Sequence, residues 1–393
     1  MSLFSTIIFQ VRYIRLEAFT LLLIIIISCR GMGERKPADS RLSENGIICT
    51  AKKIILEKKG DYTKVTVIDP WQGADNIRMI YHLVKRGSVL PDGMDTSMVI
   101  FVPLTKIICM STTYVAMISA LDELNTVRGM SGTGFVFSDV IAARAAKGLI
   151  EDVGYDASLN KELILKISPD VIMMYGIGSE SSGHIGKIRE LGINVIFNAD
   201  YLETEPLNKA EWIKLFGALY CKENLADSIF KSEVEAYYNL KSYISRNVTL
   251  RPKVLLGLPF KDTWFVSPGN SFISALIDDA GGNYLWQDTR SSVSMPIGIE
   301  NVYLKALDAD YWLNIGTVKT KNEISGVDQR LRALPCFRNG NLYNNNKRIT
   351  FRGGNDYWES GTVYPHLILK DLATILHPGL FIDTGLFYYR KIY

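Results

Sequence analysis

Aromatic residues at predicted strand ends are the side chains of this sequence best suited to recognising a ligand. Tyrosine and tryptophan rings stack on flat, partly apolar molecules, and each ring also carries a polar group that forms a hydrogen bond. Because 11% of the residues are aromatic, filling the hydrophobic core is the alternative role for each ring. The candidates for ring stacking are Tyr114, Tyr175, Tyr201, Trp264, Trp286, Tyr357 and Trp358.

Residues 352–359 form the densest polar and aromatic stretch, with the sequence RGGNDYWE. Its two glycines, Gly353 and Gly354, permit a positive φ and a close backbone approach. The guanidinium of Arg352 suits a carboxylate or an anionic chelate. We therefore expect Arg352, Asn355 and their aromatic neighbours to face a ligand or a partner. The alternative is a turn and a helix start that Asn355 or Asp356 caps.

The four histidines, His82, His184, His366 and His377, are far apart and form no i, i+4 pair. Zinc and manganese sites usually combine clustered histidines and carboxylates, so this scatter argues against a bare metal-ion site. His184 either reaches a binding cleft or remains in a solvated loop, whereas His366 and His377 are expected to be structural. The sequence has no GxSxG, HExxH or P-loop signature, so no catalytic residue is assigned.

The N-terminal segment has the pattern of a secretion signal. Residues 18–28 are largely apolar and follow Arg12 and Arg15; the run is too short to span a bilayer as a helix. It ends at Ser28-Cys29, which resembles the lipobox of bacterial lipoproteins, in which the cysteine is lipidated and becomes the first mature residue. We predict a signal peptide over 1–28, a lipid on Cys29 and a flexible tether over 29–44. A plain signal peptide or anchor is the alternative, and the choice of inner or outer membrane stays open.

The remaining cysteines, Cys49, Cys109, Cys221 and Cys336, are far apart and form no CxxC pair. A zinc site is therefore not expected. Cys109 falls in an apolar strand and Cys221 at a helix end, so both are expected to be buried free thiols. A disulfide is permitted outside the cytoplasm, but the sequence does not establish one.

A long helical stretch is the element around which the chain is organised. Apolar residues recur with helical spacing over 212–220 and again over 224–246, and the second part would span roughly 34 Å. Asn208 and Glu211 have the spacing of a capping box at the start. We predict that residues 222–247 form a bridging helix between two lobes, 45–221 and 248–393. Ordinary helices of one large domain are the alternative.

Strands alternate with helices on both sides of that stretch. The strands predicted at 47–56, 64–69, 79–84 and 98–102 form a β-rich entry. Residues 106–110 and 263–266 are each a strand followed by a turn and a helix, and Asp170 and Asp310 each precede a buried strand. This pattern predicts parallel sheets built from βαβ units. Ligands bind beyond the carboxyl ends of such strands, which adds Thr112, Thr113 and Asn270 to the candidate residues.

With this layout, residues 98–380 resemble the class III substrate-binding proteins of ABC importers. The segments that carry the resemblance are KIICMSTTYVAMISALDEL (106–124), LKISPDVIMMYG (165–176), EPLNKAEWIKLFGAL (205–219), SPGNSFISALIDDAGGNYLW (267–286), the turn at 298–300, NGNLYNNNKR (339–348) and GGNDYWESG (353–361). PLNKAEW and the last two segments resemble a Bacteroidetes-type lipoprotein subgroup.

The resemblance implies an α/β fold of two Rossmann-like lobes with parallel sheets joined by one long helix, with little hinge closure. It implies capture of an iron chelate (ferric siderophore or haem) or cobalamin, without a cofactor, and delivery to a permease and its ATPase. Glu300 matches the docking carboxylate of the second lobe. In the first lobe, Ala116 stands where the family has its docking glutamate, and Asp122 is the candidate carboxylate in its place. A chelatase-like enzyme of the same fold and a bare metal-ion receptor are the alternatives.

The charge of the chain restricts its partners. The net charge is +3 and no arginine-rich run is present, which argues against nucleic acid. Together with the predicted lipid, the resemblance implies a monomeric receptor that meets a small metal chelate, a permease complex and, through its lipid, a cell-envelope membrane.

Overall fold

The computed structural model describes residues 50–155, 158–177, 188, 190, 192–382 and 384–393. The predicted signal peptide, the tether, Cys29, Cys49 and His184 lie outside the described residues. Within these ranges, no helix combines the length and the apolar character that crossing a membrane requires.

A four-stranded sheet forms the N-terminal entry, with strand order β1-β2-β4-β5. Strands β1, β2 and β4 pair antiparallel, and β5 runs parallel to β4. Gly60 has a φ of +57° in the turn between β1 and β2. The Tyr81 hydroxyl accepts a hydrogen bond from the Phe197 amide at 3.2 Å, which holds this sheet against the first lobe. The strands are β1 (Ile54–Lys59), β2 (Tyr62–Ile68), β3 (Trp71–Gln72), β4 (Arg78–Lys85) and β5 (Val99–Val102).

The first lobe contains a five-stranded sheet in which all neighbouring strands are parallel. Its order is β11-β9-β6-β7-β8, and β10 pairs with β3. The central strands are buried on both faces, as continuous apolar runs in a parallel sheet are expected to be. The elements are β6 (Ile107–Cys109), α1 (Thr113–Ala120), β7 (Val127–Met130), α2 (Asp139–Ala146), β8 (Glu151–Asp152), α3 (Lys161–Ile167), β9 (Val171–Met174), β10 (Gly176–Ile177) and β11 (Val195–Phe197).

Three consecutive helices lead out of the first lobe: α4 (Pro206–Ala210), α5 (Ile213–Leu219) and the bridging helix α6 (Glu223–Asn247). The bridging helix has 25 residues and is therefore about 37 Å long. The capping box predicted for Asn208 and Glu211 is wrong, because α4 begins at Pro206 and places Asn208 inside the helix. The Glu211 carboxylate instead accepts hydrogen bonds from the amides of Thr50 and Ala51.

The second lobe contains the sheet β14-β12-β16-β17-β18, which is parallel except for its last pair. The predicted α/β fold, with two largely parallel sheets joined by one long helix, is confirmed. The elements are β12 (Lys253–Leu256), β13 (Thr263–Val266), α7 (Phe272–Asp279), β14 (Asn283–Tyr284), β15 (Met295–Gly298), α8 (Ile299–Ala306), β16 (Tyr311–Leu313), α9 (Lys321–Val327), α10 (Pro335–Arg338), β17 (Leu342–Asn344), α11 (Asp356–Glu359), α12 (Pro365–Leu376) and β18 (Arg390–Lys391).

Two aspartates play the same structural part in the two lobes. The Asp170 carboxylate accepts from the amides of Thr105 and Lys106, at 2.6 and 2.9 Å, at the start of β6. The Asp310 carboxylate accepts from the amide of Lys253 at 2.7 Å, at the start of β12. Each aspartate directly precedes one strand, and its side chain binds the backbone at the start of the neighbouring strand. The two lobes therefore use the same contact to align a pair of parallel strands.

Residues 106–110 and 263–266 share a sequence pattern of strand, turn and helix, but they do not occupy equivalent places in the two lobes. Strand β13 pairs antiparallel with β15 and lies outside the five-stranded sheet. The counterpart of β6 in the second lobe is β12. An aspartate carboxylate binds the start of each strand, and each pairs with the strand that follows its aspartate, β9 after Asp170 and β16 after Asp310.

Polar contacts attach the bridging helix to the second lobe. The Tyr237 hydroxyl donates to the Asp279 carboxylate at 2.7 Å. The buried Glu233 carboxylate accepts from the His366 amide at 2.9 Å and lies 2.6 Å from the His366 ring nitrogen. His366 therefore has the structural role that its sequence position predicted.

Candidate functional site

Residues that follow the carboxyl ends of strands in the two lobes contact each other, and we call the region between these two rims the interlobe cleft. One contact between side chains and one between a side chain and the backbone join the rims. The Lys209 ammonium lies 5.2 Å from the centre of the Phe272 ring, and the Gln72 amide nitrogen lies 3.5 Å from the Ser292 carbonyl oxygen. Lys209 and Gln72 belong to the first lobe, and Phe272 and Ser292 to the second.

Tyrosines and one aspartate line the rim of the first lobe. The Tyr175 and Tyr201 rings lie edge to face with their centres 6.5 Å apart. The Tyr201 hydroxyl donates to the Gly176 carbonyl and accepts from the Gln72 amide at 3.2 Å. Burial raises the pKa of Tyr201 to about 12, so the phenol is protonated at neutral pH.

Two buried polar groups lie close to these tyrosines. The Tyr114 hydroxyl and one Asp200 carboxylate oxygen are buried, and neither has a hydrogen-bond partner among the described residues. Burial raises the pKa of Asp200, and the nearby charge of Lys209 acts in the opposite direction. Burial also raises the pKa of Tyr114, with the Asp200 charge adding to the effect. A tyrosine, an aspartate and a lysine thus form a polar floor on the first-lobe side.

Hydroxyl groups occupy the start of α1 on the same rim. The Ser111 and Thr113 hydroxyls lie 2.9 Å apart, and the Ser111 hydroxyl also accepts from the Thr113 amide at 3.3 Å. Thr112 precedes the helix without a capping side-chain bond. Thr112 and Thr113 are therefore at the rim position expected for them, and both are partly exposed.

The second-lobe rim includes Asn270, but its two predicted tryptophans belong to the core. Asn270 accepts a hydrogen bond from the Ser291 amide at 3.0 Å. Trp264 is fully buried, and its indole N–H donates to the Leu256 carbonyl at 2.9 Å. Trp286 is buried with the Lys305 ammonium 5.0 Å from its ring centre. Neither ring has an open face for ligand stacking, because packing within the lobe covers it.

Residues 352–359 are divided between surface and core. Asn355 caps α11 by accepting from the Tyr357 amide at 3.0 Å, as the capped-helix alternative predicted. Tyr357 is buried and contacts Tyr388 and Tyr389 edge to face, so the stacking role expected of it is not available. Arg352 and Trp358 are exposed and remain candidates.

The two glycines of this stretch serve different purposes. Gly353 has a φ of +95°, a left-handed conformation that favours glycine. Gly354 has an ordinary φ, but a Cβ there would lie 2.6 Å from the carbonyl oxygens of Phe135 and Val136. The close backbone approach predicted from the glycine pair is therefore present, and it is made to the first lobe rather than to a ligand.

A carboxylate that the sequence pattern did not single out joins the lobes at this place. Glu359 of the second lobe's C-terminal segment accepts from the amides of Phe137 and Ser138, at 2.8 and 3.0 Å, just before α2 of the first lobe. The partners are 222 and 221 residues apart in the chain. No local sequence signal encodes such a contact.

Comparison with known proteins places this two-lobed arrangement in a family. The family described as periplasmic binding protein matches residues 107–353. The chain belongs to this family. An uncharacterized lipoprotein of Methanocaldococcus jannaschii is 30% identical over 307 residues, covering 76% of this chain and 71% of the relative. A second uncharacterized lipoprotein of that organism is 27% identical and covers 81% of each chain. The Bacteroidetes-type subgroup is not confirmed.

Solved structures of periplasmic binding proteins share the fold. A periplasmic heme-binding protein from Pseudomonas aeruginosa has a TM-score of 0.55 at 14% identity, over 72% of this chain and 96% of that chain. A protein of an ABC-type Fe3+-hydroxamate transport system from Saccharomonospora viridis has a TM-score of 0.52 at 16% identity, over 70% and 94%. The family and the fold are those of solute-binding proteins.

The predicted docking carboxylates of this periplasmic binding protein differ in their position. Glu300 lies at the start of α8 on the second-lobe rim, with 69% of its side chain exposed, 3.2 Å from the Arg330 guanidinium. Arg330 also contacts Asp328 at 2.7 Å. Asp122 follows the end of α1, beside the start of β7, and so lies at the opposite edge of the sheet from the rim. Asp122 is therefore not a substitute for Ala116 on the rim surface.

The thiols and the remaining histidines have structural surroundings. Cys109 and Cys336 are buried free thiols, and Cys221 is a partly buried one. Burial raises the pKa of Cys336 to about 12. His377 lies 3.0 Å from the Ala280 carbonyl oxygen, and burial lowers its pKa. Across the part of the chain that the structure describes, no three His, Cys, Asp or Glu side chains are grouped to hold a metal ion.

Proposed function

We propose that this periplasmic binding protein is the receptor of an ABC importer and that it binds a metal chelate in the interlobe cleft. The observation that carries the proposal is the first-lobe rim, where Tyr175 and Tyr201 lie close to the buried polar groups of Tyr114, Asp200 and Lys209. Aromatic rings over a few fixed polar groups suit a flat ligand with a polar periphery.

The proposed ligand is an iron chelate (a ferric siderophore or haem) or cobalamin. The heme-binding and Fe3+-hydroxamate neighbours share the fold at low identity, which supports this ligand class without selecting a member. We propose further that Cys29 carries a lipid and that the receptor remains at a cell-envelope membrane, since two relatives are described as lipoproteins.

Replacement of Tyr201 by phenylalanine is expected to weaken chelate binding roughly fivefold, because one hydroxyl hydrogen bond contributes about 1 kcal/mol and its loss frees the rim at Gly176 and Gln72. The measurement is calorimetric or tryptophan-fluorescence titration of the purified chain with haem, cobalamin and several ferric siderophores. Tyr238→Phe is the matched control, since Tyr238 is exposed on the bridging helix.

Two results would contradict this proposal. The first is a protein that binds none of the chelates but binds zinc or manganese tightly, which would favour a bare metal-ion receptor. The second is chelate binding that Tyr201→Phe and Tyr238→Phe leave equally unchanged, which would place the ligand away from the first-lobe rim.

Glu300→Ala is expected to leave chelate affinity unchanged and to reduce permease association two- to fivefold, because an exposed charge pair contributes roughly 0.2–1 kcal/mol. Arg330→Ala removes the cation that already pairs with Glu300 and is expected to strengthen association. The measurement is permease binding at several salt concentrations, with Asp122→Ala as the control at the opposite edge. Loss of chelate binding in Glu300→Ala would assign Glu300 to the cleft instead.

A further inference from the structure

The Glu359 carboxylate is a contact between lobes whose two oxygens are both occupied. One oxygen accepts from the Phe137 amide at 2.8 Å and the other from the Ser138 amide at 3.0 Å. Glu359 is only 4% exposed. These two amides precede α2, at the helix end that carries partial positive charge. The carboxylate of one lobe thus binds the backbone just before α2 of the other lobe, where Ser138 itself caps the helix by accepting from the Ile141 amide at 3.4 Å.

The segment that carries Glu359 crosses from one rim to the other. It leaves β17 at the carboxyl edge of the second sheet, and Gly354 packs against the backbone at Phe135 and Val136 of the first lobe. The Arg348 guanidinium lies 4.9 Å from the centre of the Phe137 ring. The crossing is therefore a packed interface with a buried carboxylate at its end.

The bridging helix lies at the opposite edges of the two sheets. At its start, Lys222 donates to the Leu121 carbonyl at 2.7 Å, where α1 ends. At its end, Val248 packs beside Gly281, where α7 leads into β14. The lobes are thus joined covalently at the amino edges of their sheets and by noncovalent contacts, among them that of Glu359, at the carboxyl edges. Widening the cleft about the helix must separate the Glu359 contact.

We propose that Glu359 is a positioning residue that latches the two rims together and sets how readily the interlobe cleft opens. This goes beyond the proposed function and holds for any ligand, because it concerns the separation of the rims alone. Its test needs no ligand, so its failure and the failure of the receptor proposal are distinguishable.

The latch is expected to be tighter at acidic pH. Burial raises the pKa of Glu359 to about 7 from an ordinary value of 4.5, Asp356 adds to the rise, and the two amides oppose it. Other charges near the latch are Arg348, which pairs with Asp356 at 2.6 Å, and Asp139 in the first turn of α2. The latched state binds a proton more tightly than an open state with a solvated carboxylate. Raising the pH from 4.5 to 7 therefore weakens the latch.

Hydrogen exchange of the Phe137 and Ser138 amides measures the latch directly. In the full-length chain in detergent, corrected protection of these amides is expected to fall roughly 10- to 100-fold between pH 5 and pH 8. Glu359→Gln keeps one acceptor but cannot ionise, so its protection should be lower than that of the wild type at pH 5 and independent of pH. Glu323→Gln is the matched control, because Glu323 accepts from the Lys319 amide at 2.8 Å within one lobe.

Glu359→Asp is the second variant, since its shorter carboxylate still titrates but cannot reach both amides. It is expected to lower protection while retaining a pH dependence. Exchange of the β9 amides reports whether each variant is folded. Unchanged protection of Phe137 and Ser138 in both folded variants would overturn the proposal, as would a pH dependence that persists in Glu359→Gln.

Discussion

Glu211→Ala is expected to lower the free energy of unfolding by about 3–5 kcal/mol, the usual cost of breaking a buried ion pair. The Glu211 side chain is 1% exposed and lies 2.7 Å from the Lys214 ammonium. Its other oxygen accepts from the amides of Thr50 and Ala51 at 2.6 and 2.8 Å. The substitution therefore removes the nearer of two carboxylates around a buried lysine, since Lys214 also lies 3.9 Å from Asp227, together with the acceptor of two amides.

The measurement is urea unfolding followed by circular dichroism, with proteolysis near residue 50 as a local readout. Glu211→Gln keeps an acceptor for the amides but loses the charge, so its free energy of unfolding should lie between those of the wild type and Glu211→Ala. Glu57→Ala is the control, because Glu57 pairs with Lys59 and Lys64 at the surface and is expected to change stability by less than about 0.5 kcal/mol. Equal stability of the Glu211→Ala and Glu57→Ala variants would contradict the stabilising role of the Glu211 contacts with Lys214, Thr50 and Ala51.

A second buried carboxylate holds the same segment. Glu203 accepts from the amides of Lys52 and Lys53 at 3.1 and 2.8 Å, and the Trp212 indole donates to it at 3.3 Å. Burial raises the pKa of Glu203. Residues 50–53 are thus fixed by two carboxylates from the α4–α5 region. Residues 50–53 follow the proposed tether in the chain. Glu203 and Glu211 therefore hold the segment through which the tether would join the first lobe.

The features that the sequence predicted are local ones. Apolar spacing gave the bridging helix almost at its observed bounds, because an amphipathic helix buries one face whatever its surroundings are. Asp170 and Asp310 were matched correctly, because each lies directly before a buried strand and uses its side chain on the neighbouring strand.

The features that the sequence missed depend on contacts distant in the chain. The partners of Glu211 and Glu359 lie 161 and 222 residues away, and no periodicity records such distances. Trp264 was assigned to the rim because its strand was expected in the main sheet, but β13 pairs with β15 and turns the ring into the core. Strand partners follow from topology, which short sequence patterns do not determine.

Gly354→Ala is expected to disrupt the crossing between the lobes and to destabilise the protein by about 1–3 kcal/mol, the usual cost of overpacking. The new Cβ would lie 2.6 Å from two backbone carbonyl oxygens, those of Phe135 and Val136. Backbone atoms cannot rotate away as a flexible side chain does, so the crossing segment must lift from the first lobe. The backbone φ of Gly354 is ordinary, so lack of space is the sole cause.

The measurement pairs urea unfolding with hydrogen exchange at Phe137 and Ser138, because a lifted crossing also pulls Glu359 from these amides. Gly385→Ala is the matched control, since a Cβ at Gly385 meets no atom within 4 Å. We expect Gly385→Ala to change stability by no more than about 1 kcal/mol and to leave exchange at the latch unchanged. If the Gly354→Ala variant is less stable but the Phe137 and Ser138 amides keep full protection, then the packing at Gly354 and the Glu359 contact are independent of each other. Loss of both together would show that Gly354 and Glu359 act as one interface that holds the cleft.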